Sequence, residues 1–282
     1  MMRVLLVLAA LALVVWLGAA QLASDAVYGD LASPHSLPAA LHRHDPTLLR
    51  PLLLGGRRAR ALAAIHTHDL AGANALLPPS ATDATTLDDR GQLAQANGDA
   101  TGALDAYVAA GDYVRAQALI DAVADAQPAV ALRDERRLVV RLADDPRAAD
   151  VAGQAWWRLG VLEATAGYLD PPHRASHWHA AQAAYERALV EAPNDESYVL
   201  AAAYQELANG DASTAHAHYE RALQIDPASG PAYAGLALEA AAHHDCPTAR
   251  ANMERANALG IPTDHVTNNP TFGADLSACI GT

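Results

Sequence analysis

Thirteen histidines are the side chains of this sequence that most invite chemistry. Eight of them form four His-x-His pairs: His42/His44, His66/His68, His177/His179 and His216/His218. A structural zinc ion takes four converging ligands. Residues two apart on a helix point about 200° from each other, so none of these pairs chelates alone. His173 and His177 are four apart and share a face if that stretch is helical, which makes their loop the one metal-binding alternative worth carrying. No HExxH, CxxC pair or EF-hand loop accompanies them. Nucleophilic and phosphate chemistry fares no better: there is no GxSxG, no Walker loop and no GxGxxG after a strand pattern. The chain has no lysine, which removes Schiff-base catalysis. The acids are scattered singly along helical patterns, as on a solvated surface. Trp157 and Trp178 have the shape to stack on a sugar, whereas Trp156 reads as core. The expectation is a protein with no catalytic residue, no metal and no cofactor.

The elements that would position any such site are helices. Apolar residues make up 51% of the 282-residue chain and aromatics only 5%, so the core is built from Ala, Leu and Val. Alanine and leucine are strong helix formers, and no sustained strand-type alternation occurs. Charge is uneven. Residues 1–60 carry six Arg against three Asp, and residues 61–282 carry thirteen Arg against twenty-nine acids. An acidic body repels phosphate backbones, which argues against nucleic-acid binding.

An unbroken apolar run from Val4 to Ala20 follows a single Arg. At 1.5 Å per residue it reaches about 25 Å, near the lower limit for a bilayer span. Two readings stay open for residues 1–24: a transmembrane anchor that leaves the body outside the cytoplasm, or a cleaved signal peptide with secretion. Residues 25–56, with four prolines and Gly55-Gly56, read as a helical neck. For Cys246 and Cys279 the alternatives are a disulfide, expected in an exported chain, or two free thiols.

The most informative signal is repetition. YERALVEAPN at Tyr185 returns 34 residues later as YERALQIDPA at Tyr219. Ala181 and Ala215 precede the two tyrosines by four, Ala188 and Ala222 follow by three, and Pro193 and Pro227 follow by eight. A third copy substitutes Ala249, Met253 and Ala256. Small residues (Gly160, Ala203 and Ala237 on first helices) let helices approach, a large residue fills the gap beside them, and proline ends the second helix. A period in this range marks stacked hairpins that bury one another's apolar faces. The stretch NGDATGALDAYVAAGDY, residues 97–113, reads as a first helix with Ala100, Leu104 and Tyr107 on one stripe, and GDYVRAQALIDAVADAQP as its second. Helical patterns cover 57–76, 83–96 and 130–143. The first strong copy holds nine extra residues around Pro171-Pro172, expected to form a projecting loop rather than a longer helix.

These positions resemble the tetratricopeptide repeat family, over Gly153–Pro262. The resemblance implies an all-α, right-handed α–α superhelix, here preceded by the hydrophobic N-terminal segment. Its parts would be degenerate helical repeats at 57–152, family-like repeats at 153–262 and a C-terminal tail at 263–282. It further implies an interaction scaffold whose inner face, lined by first helices, grips a protein partner. Register nominates Trp157, Val161, Leu200, Tyr204 and Leu238 for that groove. No Lys, Arg or Asn stands there to clamp a carboxylate, so an amphipathic helix or hydrophobic peptide suits it. The expected partner is an envelope or membrane protein. The alternatives are a subunit of polysaccharide or appendage export machinery and the metal-binding loop above.

Overall fold

A computed structural model describes residues 57–281 apart from Asp144, Pro146 and Arg147. The expected anchor and neck lie outside the described residues. Among those described, every element is helical and none is long and apolar enough to cross a membrane.

The chain divides into two compact units between Ala116 and Gln117. The first contains α1 (Arg57–His66), α2 (Leu70–Leu76), α3 (Ala84–Ala96) and α4 (Ala100–Ala110). Ala61, Leu62, Ile65, Ala73 and Leu93 join α1, α2 and α3 in one apolar cluster. The division falls inside α5 (Tyr113–Ala124). The second unit continues with α6 (Pro128–Leu142), α7 (Ala149–Leu169), α8 (Arg174–Glu191), α9 (Glu196–Ala208) and α10 (Ala212–Ile225). It ends with α11 (Gly230–Ala242), α12 (Cys246–Ala258) and the short α13 (Thr263–Thr267) and α14 (Gly273–Ile280). Consecutive helices from α7 to α12 pack as hairpins in series.

One turn recurs between helices. A residue with positive φ (His68, Gly98, Gly111, Gly210, His244) is followed by an aspartate. Backbone N–H groups of both return to carbonyls of the helix just ended, as in Gly210 to Leu207 and Asp211 to Glu206. The Asp69, Asp99, Asp112, Asp211 and Asp245 side chains then accept from a backbone N–H three residues on, capping the next helix. Positive φ costs a side-chain-bearing residue about 1–2 kcal/mol, and two of the five turns meet it with histidine. This turn corrects the sequence reading twice. The 57–76 pattern is not one helix, because it breaks at His68. The helix in 97–113 is not a first helix either: α4 pairs with α3, and the Tyr107 ring sits on Gly91 in the manner of a second helix.

The repeat tyrosines each meet a glycine, but on different sides: Tyr185 lies against Gly160 on α7, in its own hairpin, and Tyr219 against Gly235 on α11, in the next. Both rings are buried, and so is Met253 in the third copy. Ala181, Ala188, Ala203, Ala215, Ala222, Ala237 and Ala249 are all fully buried, while Pro193 and Pro227 stand just past the ends of α8 and α10. In the α7–α8 hairpin the small-against-large pattern extends over three levels. Gly153, Gly160 and Gly167, seven apart, face Glu191, Tyr185 and Trp178, in descending order as antiparallel helices require. A Cβ on Gly160 would stand 2.3 Å from a Tyr185 ring carbon. Gly160→Ala is therefore expected to lower the denaturation midpoint in urea, by overpacking worth about 1–3 kcal/mol, despite alanine's better helix propensity.

The nine extra residues do not project as a loop. They add about one helical turn to the tip of each helix of the hairpin; α7 has 21 residues and α8 has 18, against 13 and 14 in the next hairpin, and the rest of α7's extra length lies at its N-terminal end. Pro171 and Pro172 open a 3₁₀ turn at the start of the second helix, where proline's missing N–H costs nothing.

Candidate functional site

The first-helix face of the second unit is where the nominated groove residues fall, and part of the chain's own tail lies on it. Leu200 and Tyr204 on α9 and Leu238 on α11 line one cavity with residues of the tail. The other two stand apart from it. The Trp157 ring stacks on Tyr198 at 6.3 Å, and Val161 is exposed.

The tail is fixed by a hydroxyl network. Tyr168, near the end of the lengthened α7, has its hydroxyl 3.1 Å from that of Tyr204 and 3.0 Å from the Thr271 hydroxyl. The Asn269 amide donates to the Tyr204 hydroxyl at 3.1 Å. The Asn269 side-chain oxygen accepts from the backbone N–H groups of Thr271 and Phe272, which holds the segment in a tight turn. Phe272 then meets the Tyr204 ring edge-on at 6.4 Å. Behind this turn α14 packs on α11 and α12 and buries Leu276 completely. Cys279 is bonded to Cys246 at the start of α12, with their Cα atoms 4.7 Å apart, and the Arg250 guanidinium donates to the Cys279 carbonyl. The sequence reading left residues 263–282 as an unassigned tail, so His265, Asn269, Thr271 and Phe272 were missed.

Histidines pair with carboxylates. His173 lies 2.9 Å from Asp170, and His177 lies 2.8 Å from Glu163, whose carboxylate also accepts from Arg136. His218 lies 2.7 Å from Glu206, and His216 lies 3.1 Å from Glu239. The His216 charge is favoured by the Glu239 carboxylate, which raises its pKa against a smaller effect of burial. Among the described residues no three His, Cys, Asp or Glu converge as a metal site. Several acids are not the solvated surface groups expected of them: Asp89, Glu135, Glu163 and Glu206 are buried. Each has a partner on another helix, Asp89 through a two-pronged bond from Arg58.

Glu135 on α6 accepts from the Gln117 amide at 2.8 Å through one oxygen, while the other has no partner. Burial raises its pKa to about 7, opposed by the Gln117 hydrogen bond and by Arg158. The folded chain therefore holds this proton above the ordinary value of 4.5, where the unfolded chain has lost it. Stability contributed by Glu135 is complete below that value and is lost as pH rises through about 7. The slope within that window is at most about 1.4 kcal/mol per pH unit. Glu135→Gln should flatten this component, read as the difference between urea midpoints of the two proteins at pH 5 and pH 7.5.

The fold and the site define an all-α chain of helical hairpins, one face of which holds a turn of the chain's own tail. The chain matches no family model and no curated protein sequence. Among solved structures it is similar to one named "MamA MSR-1 C2", with 14% identity and a TM-score of 0.35 over 75% of this chain and 97% of that one. A likeness that loose bears on neither activity nor partner.

Proposed function

We propose that this chain is a non-enzymatic protein-interaction scaffold whose hairpins wind as a tetratricopeptide-like right-handed superhelix and whose first-helix face holds a segment of another protein. The observation that supports it most is the seating of residues 269–272 on Tyr168 and Tyr204: this face already accommodates a turn of backbone through side-chain hydroxyls and an aromatic edge. Apart from that segment, the exposed Val161 leaves apolar surface for a guest, and burial there contributes about 25 cal/mol per Å² before the costs of association. The envelope is the proposed setting. The N-terminal apolar run favours it, and so does the Cys246–Cys279 bond, since disulfides persist in oxidising compartments.

The test is a photo-crosslinking residue at Val161 in envelope membranes. One discrete adduct, lost in Trp157→Ala and in Tyr204→Ala, supports the reading. An adduct indifferent to both changes, or none, rejects it. A subunit role in export machinery would give an adduct with a membrane component of that machinery.

A further inference from the structure

Residues 261–272 cross the first-helix face as a strap fixed at both ends. Before it, α12 stops at Ala258, and Gly260 takes a φ of +92° as the Gly260 and Ile261 amides return to the Asn257 and Ala256 carbonyls. After it, α14 is held by the fully buried Leu276 and by the Cys246–Cys279 bond. Between these anchors the strap is poorly fastened. Val266 is its one buried residue. A pocket of about 340 Å³ opens between Ile261, Val266 and Asn269 of the strap and Leu200 and Leu238 of the face, so the two are not packed together as a protein core is. The other ties are the hydrogen bonds of Tyr168 with Thr271 and of Tyr204 with Asn269, and the Phe272 ring edge. Water can take over those hydrogen bonds, so breaking them costs little net. Segments with few buried apolar contacts open more easily than the core around them.

We propose that residues 261–272 are an autoinhibitory strap. Closed, it covers the face formed by Leu200, Tyr204 and Leu238. Lifted between its fixed ends, it frees that face for a segment of another protein; the guest, though not the lifting, rests on the scaffold reading above. Gly273 sets the closed position. A Cβ there would stand 2.1 Å from the Thr267 carbonyl oxygen, a backbone atom that cannot turn aside. Gly273→Ala therefore pushes the strap away without deleting any of its contacts with the face. Tyr168→Phe loosens it from the other side, by removing one hydroxyl of the face.

Amide hydrogen exchange and the apolar fluorescent probe N-phenyl-1-naphthylamine test this on the full oxidised chain. The Thr271 and Phe272 amides donate to the Asn269 side chain, and should exchange about 100-fold faster than the Cys279 amide within α14. Tyr168→Phe should speed them about five-fold further, and Gly273→Ala more strongly, with Cys279 unchanged in both. Probe fluorescence should rise in the same order. In the unaltered chain, saturating probe should speed exchange at Thr271 and Phe272, because probe and strap compete for one face. The inference is overturned if strap and α14 exchange at one rate, if Tyr168→Phe has no effect, if Gly273→Ala also exposes Cys279, or if the probe slows the strap amides. The Val161 crosslink separates the two claims. An adduct that rises in Gly273→Ala supports both, and one that does not rise overturns the strap's blocking role. No adduct in any variant, beside the expected exchange and probe results, rejects the scaffold reading alone.

Discussion

Tyr219→Ala should lower the unfolding free energy by about 3–5 kcal/mol in a urea melt, the range for deleting a buried aromatic ring. The ring is 2% exposed and lies against Gly235, with Ala203 and Ala215 in the same cluster, so almost nothing near it can collapse to fill the space. Glu220, one residue on, is exposed and meets only His216 across 3.5 Å. Glu220→Ala should therefore shift the midpoint by no more than about 0.5 kcal/mol, as for an ordinary surface position. Tyr185→Ala should behave like Tyr219→Ala, because its ring is buried too, over Gly160 in its own hairpin. Equal effects at 219 and 220 would mean that the hairpins are not nested in the register described.

The second large effect belongs to the disulfide. The Cys246–Cys279 bond spans 33 residues, and closing a loop of that length restricts the unfolded chain by about 3–4 kcal/mol. Cys279→Ser should lose stability of that order, and the loss should be concentrated in the tail. The readout is hydrogen exchange at the Leu276 amide, which donates to the Phe272 carbonyl. Its protection should fall by more than ten-fold, while the amides of α9 keep theirs. Unchanged protection at Leu276 would show that packing of α14 on α11 and α12 holds the tail without the bond.

Much of the array is legible from residues 181–256, because small and large side chains recur there at fixed offsets and each offset has a packing cause. The same signal exists further upstream. Ala103, Tyr107 and Ala110 repeat the spacing of Ala215, Tyr219 and Ala222, and Asn97-Gly98-Asp99 precedes them as Asn209-Gly210-Asp211 precedes the later copy. Reading Ala100 and Leu104 as the leading stripe obscured that phase. The lengthened hairpin was misread because Pro171-Pro172 suggests a loop, whereas proline is equally at home in the first turn of a helix. Two features had no local signature. The network around Tyr204 joins residues 65 and 103 positions apart. The burial of Glu163 and Glu206 is decided by histidines on the neighbouring helix.

The α7–α8 hairpin carries a consequence for how such a chain can be edited. At 1.5 Å per residue α7 is about 31 Å long and α9 about 20 Å, yet Tyr185 still finds its glycine and the next copy follows in phase. Height and period are thus separate variables. Whole turns can be spliced in at a hairpin's tip in matched amounts, giving one repeat a taller stature than its neighbours, as here, where the added length carries Tyr168 to the tail.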